Sequence, residues 1–286
     1  MPHQASMDNS GATDIESLLR TVELVTLPAV TLRIFQIIRD PQCSIEQLSQ
    51  VVRTDPPLCV RVLRVVNSAQ YGLPRQVNSL ERAIALLGLS GLKRILIAAN
   101  LTGLCPEGQI TSTVYAQHIW QHSNAVACAS RILAQRLGHE TSNAYVAGLI
   151  HDLGIMLEMQ VRREALASTI ERVERDHVDF MAAEHQALGF NHTDLGRALC
   201  EQWDLPDDLV AVTAFHHDPM AAPVEHRPLA GIVHISDVLA ARNGIGYSGT
   251  VGSHDLDPVA LEYLNLDEEA VAEVEAELRN NLEHRG

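Results

Sequence analysis

The chain has 286 residues, of which 46% are hydrophobic and 20% charged, the make-up of a folded protein with enough length for one large or two smaller cores. Its 21 basic against 36 acidic residues give a net charge of -15, a surface that repels phosphate backbones and anionic membranes and argues against a general nucleic-acid or lipid binder. Five cysteines (Cys43, Cys59, Cys105, Cys128 and Cys200) stand far apart with no CxxC pair, which fits reduced, core-packed thiols in a cytoplasmic protein better than a disulfide frame.

Residues 1–13 are polar, carry no basic-then-apolar leader pattern, and read as disordered. From Asp14 onward apolar residues recur at helical spacing, and no alternating run is long enough for a strand. Helices are expected near 15–23, 29–39, 44–53, 55–68, 79–87 and 90–101. Ser44 with Gln47 forms a capping-box pattern, Asp55 precedes Pro56 as a capping carboxylate, and Gly88 stops the helix that Ser79 starts. The apolar stretch Ala83–Leu104 is broken by Gly88, Gly91, Lys93 and Arg94, so it reads as two buried helices rather than a membrane span.

Cys105-Pro106-Glu107-Gly108 marks a boundary between a first lobe, 14–104, and a second, 110–241. Helices are expected there near 113–137, 142–157, 162–175, 178–187, 192–202, 206–216 and 229–241. Residues 242–286 read as a mobile Gly/Ser-rich loop, 243–253, followed by an acidic helix near 267–282 that either docks or projects. The fold class is all-α in two lobes.

In the first lobe the helices 44–53 and 55–68, joined at Thr54-Asp55-Pro56, could pass for a helix-turn-helix with Arg53, Arg61 and Arg64 as phosphate ligands. The acidic balance and Pro57 near the start of the would-be recognition helix speak against it. Its ordered motifs are Leu27-Pro28, Ser44-Ile45-Glu46-Gln47-Leu48, Asp55-Pro56-Pro57-Leu58, the run from Arg64 through Asn67 to Tyr71-Gly72, and Ser79 to Gly88. Together they resemble the HDOD (HD-related output domain) family, with the second lobe extending the resemblance to about residues 15–240.

The second lobe carries His122, His151-Asp152, Glu184, His192, His216-His217 and Asp237 in the order that family shows. Taken singly, each has a plain explanation. His122 can be a hydrogen-bonded helix histidine, His151-Asp152 a helix-end pair, His192 a first-turn polar residue and His216-His217 a solvated helix end. Asp237 is harder to dismiss, because a carboxylate among Val233, Ile235, Val238 and Leu239 must be paired or protonated if buried. The remaining histidines, such as His234, fit no ligand position.

The lobe is similar to HD-type phosphohydrolases, in which His and Asp from several helices converge on metal. That resemblance implies a ligand set of His122, His151, Asp152, His192, His216, His217 and Asp237 for one or two divalent ions (Fe, Mn, Mg or Zn). Two departures from the related HD-GYP phosphodiesterases bear on turnover. Ile155 stands where their HDxGK lysine would be, and Asp218-Pro219-Met220 follows the paired histidines in place of a GYP-type segment. Gly246-Tyr247 comes too late to replace it.

The resemblance therefore implies a bacterial signal-transduction output module with a retained metal site, its partner a signalling protein or a nucleotide ligand, with first-lobe residues around Asn67 and Tyr71 as the working surface. The alternative is a divalent-metal-dependent phosphohydrolase in which His151 and Asp152 are the catalytic, metal-bridging pair. The sequence leaves the oligomeric state open.

Overall fold

A computed structural model describes residues 15–20, 30, 33–34, 36–37, 40, 42–67, 77–102, 107–203 and 205–283. The expected disorder of 1–13, the motif residues Leu27, Pro28 and Ser68 to Gly72, the Cys105-Pro106 pair and Asp204 lie outside them. Among the described residues the structure is all-α; the one extended pairing is an isolated bridge between Gln109 and Tyr115.

Three helices build the first core: α1 (Ile45–Arg53), α2 (Pro56–Val66) and α3 (Leu80–Thr102). Local chemistry sets their starts. Ser44 accepts from the Gln47 amide and Gln47 reaches back to the Ser44 amide, while the Asp55 carboxylate accepts from the Leu58 amide at 2.9 Å. Gly88, at φ 64°, breaks α3 where the sequence places a stop, so two helical pieces run on from one another at a kink. Leu48, Val52, Leu58, Val62, Leu92 and Ile95 are buried between them. Each contributes about 1.5–3 kcal/mol of transfer free energy, before the entropy of ordering the chain is set against it.

Asn67 closes this core. Its side-chain amide donates to Leu63 O (2.8 Å) and Val77 O (2.7 Å), and its carbonyl accepts from the Val77 amide (2.7 Å). A residue expected on the working surface thus has its hydrogen-bonding capacity committed to joining α2 to the chain entering α3.

The rest of the described chain forms α4 (Ala116–Leu137), α5 (Thr141–Ile150), α6 (Leu153–Val161), α7 (Arg163–Asp176), α8 (Phe180–Leu188), α9 (His192–Gln202), α10 (Asp207–Phe215), a 3-10 turn at Pro219–Ala221, α11 (Arg227–Arg242), α12 (Pro258–Leu264) and α13 (Glu268–Glu283). Helix α4 packs along α5 and α11, α9 packs on α10 and α6, and α3 reaches across to α5. Ile15, Leu18 and Leu19, one face of a helical turn at 15–20, sit in this second core rather than with α1–α3. The acidic tail docks. Val271, Val274 and Leu278 are buried, and Arg136 on α4 pairs with Glu273 and Glu277 of α13.

Two differences from the sequence reading matter for the site. The helix expected over 142–157 is two, α5 and α6, separated by a turn at His151-Asp152. The loop 243–253 is tied down at its start: Tyr247 donates its amide to His118 O at 3.1 Å. Gly246 (φ +72°) lies so close to α4 that a Cβ there would be 2.3 Å from His118 O. Among the described residues, Cys43, Cys59, Cys128 and Cys200 form no disulfide.

Candidate metal centre

All seven residues expected as ligands meet in one place. His122 comes from the middle of α4, His151 and Asp152 from the α5–α6 turn, His192 from the first position of α9, His216 and His217 from the end of α10, and Asp237 from α11. The turn matters because an unbroken helix would send His151 and Asp152 to different faces. As the N-cap of α6 (φ -94°, ψ 27°), Asp152 instead lies beside His151. Asn191 fixes the start of α9 by accepting from the Thr193 and Asp194 amides, and so sets the position of His192.

Close packing does the rest. A Cβ on Gly154 would sit 1.9 Å from the carbonyl oxygen of His192, so only glycine lets α6 meet α9 here. His122, His151, Asp152, His192, His216 and Asp237 are all buried, the most accessible being Asp237 at 2%, whereas His217 is half-buried.

The proton positions can be read from the partners. His122 Nδ1 donates to Ile245 O (3.3 Å), His151 Nδ1 to Gly148 O (2.8 Å), His216 Nδ1 to Val212 O (3.2 Å) and His192 Nδ1 to Glu184 Oε2 (2.7 Å). The three backbone carbonyls only accept, so Nδ1 of His122, His151 and His216 carries hydrogen; in all four rings Nε2 faces inward.

Inside, His122 Nε2 meets Asp237 Oδ1 at 2.7 Å and His192 Nε2 meets His217 Nε2 at 3.0 Å. His151 Nε2 lies 3.2 Å from Asp152 Oδ2 and 3.8 Å from Asp237 Oδ1, outside hydrogen-bond geometry. Asp152 Oδ1 lies 3.5 Å from His216 Nε2 and 3.6 Å from His192 Nε2.

Charge follows burial and neighbours. Burial pushes the Asp152 carboxyl up, but His151, His216 and His192 hold it well below the usual carboxylate range. Asp237 is likewise held low by His122 and His151 against its burial. Burial pulls the His151 imidazole down, yet Asp152 and Asp237 outweigh it and raise it to about 9. Burial keeps His192 and His216 below the ordinary histidine value, and His217 well below it, with His216 and His192 adding to the burial effect there. Asp237 is thus paired and ionised, as its apolar sequence surroundings require.

Whether metal fits is answered by three atoms. His151 Nε2, His216 Nε2 and Asp152 Oδ1 are buried and have no hydrogen-bond partner. Leaving such atoms unmatched costs about 1–3 kcal/mol each, more for a charged group. Three overlapping sets, Asp152/His192/His216/His217, His122/His151/Asp152 and His151/His216/Asp237, bring one donor atom per residue within 4.8 Å of one another. Nitrogen and carboxylate donors without thiolate suit a borderline-to-hard divalent ion.

The sequence missed the layer behind these residues. His234, which fits no expected ligand position, donates Nδ1 to His216 O at 2.8 Å and so steadies the His216 backbone. Glu184 was noted only for its place in order. It accepts from both Nδ1 and the amide of His192 (2.7 and 3.1 Å). Glu158 carried no signal except its position in an apolar helix.

A family model described as HDOD domain matches residues 24–219. Among solved structures, the chain superposes on an HDOD domain protein of unknown function from Geobacter sulfurreducens with a TM-score of 0.75 at 24% identity, covering 96% of this chain and 98% of that one. A protein described as a candidate phosphohydrolase from Shewanella amazonensis gives 0.74 at 24% identity over 94% and 95% of the two chains. At these identities the likeness speaks for the fold alone. Among curated proteins, an uncharacterized protein of Treponema pallidum is 23% identical over 223 residues, 77% of this chain and 42% of that protein. Ribonuclease Y of Thermus thermophilus is 27% identical over 219 residues, 76% of this chain and 31% of that protein. The chain thus spans less than half the length of these curated relatives.

Proposed function

The chain belongs to the HDOD family, and from that premise we propose that it is a signal-transduction output module that binds a signalling protein or a nucleotide, its second core held together by one or two divalent ions. The observation that carries this reading is the set of orphaned, inward-facing atoms, His151 Nε2, His216 Nε2 and Asp152 Oδ1, inside a cluster whose other ring nitrogens are already committed to outer acceptors. That arrangement suits coordination from within and support from without.

Asp152, His192, His216 and His217 would hold one ion; His122, His151 and Asp237 would join Asp152 around the second. A bound divalent ion supplies Lewis acidity and lowers the pKa of a water on it. The chain's own residues fix the donors in place before binding, through the four Nδ1 contacts and the close α6–α9 approach.

The cluster's surroundings favour binding over turnover. Ile155, where a phosphate-binding lysine would stand in the phosphodiesterases, is wholly buried, and six of the seven ligands are closed off from solvent. Asp218 and the Pro219–Ala221 turn follow the paired histidines. One observation supports the phosphohydrolase reading: Asp152 turns Oδ2 toward His151 and Oδ1 toward His192 and His216, so that it would help to hold each of two ions, which would activate a water for attack. Phosphodiester hydrolysis assays with added Mn²⁺ or Fe²⁺ decide between them. The output reading expects no turnover above background, and turnover that disappears in Asp152→Ala overturns it.

A further inference from the structure

His122 is buried, yet one stretch of backbone runs from its ring to the surface. Ile245 O accepts from His122 Nδ1 at 3.3 Å, and two residues on the Tyr247 amide donates to His118 O at 3.1 Å. The stretch thus lies along α4 beside the turn of helix that carries His122. Gly246, between the two contacts, permits the approach: a Cβ there would stand 2.3 Å from His118 O and 2.5 Å from the His122 amide nitrogen. The buried Tyr247 ring meets Phe180 edge-on with centroids 6.3 Å apart, and Phe180 meets the His192 ring edge-on at 5.9 Å. Ile245–Tyr247 therefore touches His122 directly and reaches His192 through one ring, and these two histidines fall in different sets of candidate ligands. Further on the chain comes out. Gly252, Ser253, His254 and Asp255 are exposed, with Gly252 beside the Asp179 carboxylate that caps α8.

We propose that Ile245–Tyr247 is a strap that couples the buried centre to the surface. Seated on α4, it holds His122 and backs His192 for metal; bound metal in turn keeps the strap seated and residues 252–255 in place. The inference rests on the metal-site reading and adds to it the means by which a closed centre shows its state outside. The reciprocity is thermodynamic: if metal binds the seated form more tightly by some factor, it shifts the strap toward that form by the same factor. Outer partners of ligating histidines change metal affinity by about 10–100-fold, which sets the size of both effects. A loop that only covers α4 makes a different forecast, because metal affinity and loop order would then be independent.

Amide hydrogen exchange of the wild type, metal-free and Zn²⁺-saturated, measures one direction of the coupling. With Zn²⁺ the Tyr247 amide should exchange about 10–100-fold more slowly, relative to the Gly138 amide at the far end of α4. Zn²⁺ titration against a competing chelator measures the other. Gly246→Ala forces the strap off α4 and should weaken binding by about 10–100-fold. Gly244→Ala, at φ +62° with nothing within 4 Å of its Cβ, strains the same loop without lifting the strap and should bind as wild type does. Tyr247 exchange that is the same in both states overturns the proposal and leaves the metal reading standing. So does wild-type affinity in Gly246→Ala, or equal loss in both variants. Should Gly246→Ala fail to fold, the wild-type exchange comparison decides: slowing supports the strap and equality refutes it. A wild type that takes up no Zn²⁺ overturns the metal reading and this coupling with it.

Discussion

His192 and His217 face each other with their Nε2 atoms 3.0 Å apart, and Glu184 already holds the other nitrogen of His192. With Glu184 at Nδ1, the Nε2 of His192 is the ring nitrogen left facing His217 and the cluster. A pair of imidazoles arranged this way, beside an orphaned carboxylate oxygen of Asp152, is poised to share an ion.

Metal should therefore stabilise the fold. At an ion concentration about 100 times its dissociation constant, linkage adds about 2.7 kcal/mol, which in a domain of this size raises the Tm by roughly 5–10 °C. Thermal melts of chelator-treated protein with and without added Mn²⁺ or Zn²⁺ measure it; a Tm indifferent to metal contradicts the prediction.

The His122–Asp237 pair makes a separate claim. Both side chains are buried and they meet at 2.7 Å. In metal-free protein, His122→Ala leaves a buried carboxylate unpaired and should cost about 3–5 kcal/mol in urea denaturation. The double variant with Asp237→Ala should cost less than the sum of the two single variants. Strict additivity would mean that the two do not depend on one another.

The pH profile of metal-free protein follows from the shifts. His192, His216 and His217 are held below the unfolded histidine value, so the unfolded chain binds more protons, and stability falls as pH drops below about 6.5. His151 is raised to about 9, so the stability it contributes is complete below about 6.5 and is lost as pH climbs through 9. Asp152 and Asp237, both lowered, contribute above about pH 4 and lose that contribution in stronger acid. The raised Glu184 and Glu158 carboxyls act in the opposite sense, losing stability as pH rises above about 4.5. The histidine contribution is therefore read as the difference between wild type and His216→Ala, which should change as pH falls through about 6.5; a pH-independent difference would speak against the assignment.

Gly154→Ala tests the packing that places His192. With a Cβ only 1.9 Å from the His192 carbonyl oxygen, α6 and α9 must separate. A destabilisation of about 1–3 kcal/mol or more is expected, together with weaker metal uptake. Gly138→Ala, where a Cβ meets nothing within 4 Å but φ is +74°, serves as a control that strains the backbone without moving a ligand.

Asn67→Ala should lower the stability of the first core by about 1–3 kcal/mol, because the Val77 carbonyl and amide lose their side-chain partner, while Leu63 O keeps the backbone amide of residue 67. Loss of output in that variant would then be read through folding, checked by its urea midpoint, before it is assigned to a binding surface.

What the sequence made legible follows from how local the signals are. The bounds expected for α9, 192–202, are the ones observed, with Asn191 and Asp194 forming a capping box at its start. The break in α3 showed itself in Gly88. The seven residues that motif order puts forward as ligands converge in one place. The turn at His151-Asp152 was not, because Leu149, Ile150, Leu153 and Ile155 keep the run apolar across it and leave no mark in the periodicity. The short helix α12 was missed although Pro258 stands at its first position and Asp257 caps it. Within 243–253, Gly246 stands where α4 comes close, which the glycine and serine content of the loop does not reveal. Glu184 meets His192 through a tertiary contact, to which no spacing rule is sensitive.

The central claim is that the buried cluster holds divalent metal, and elemental analysis of protein purified without chelator, wild type beside Asp152→Ala, tests it most directly. The account expects one or two Fe, Mn or Zn ions per chain in the wild type and a marked loss in the variant, with the far-ultraviolet circular dichroism of both still helical. A folded wild type that carries none of these ions, and takes none up when they are supplied, would contradict it.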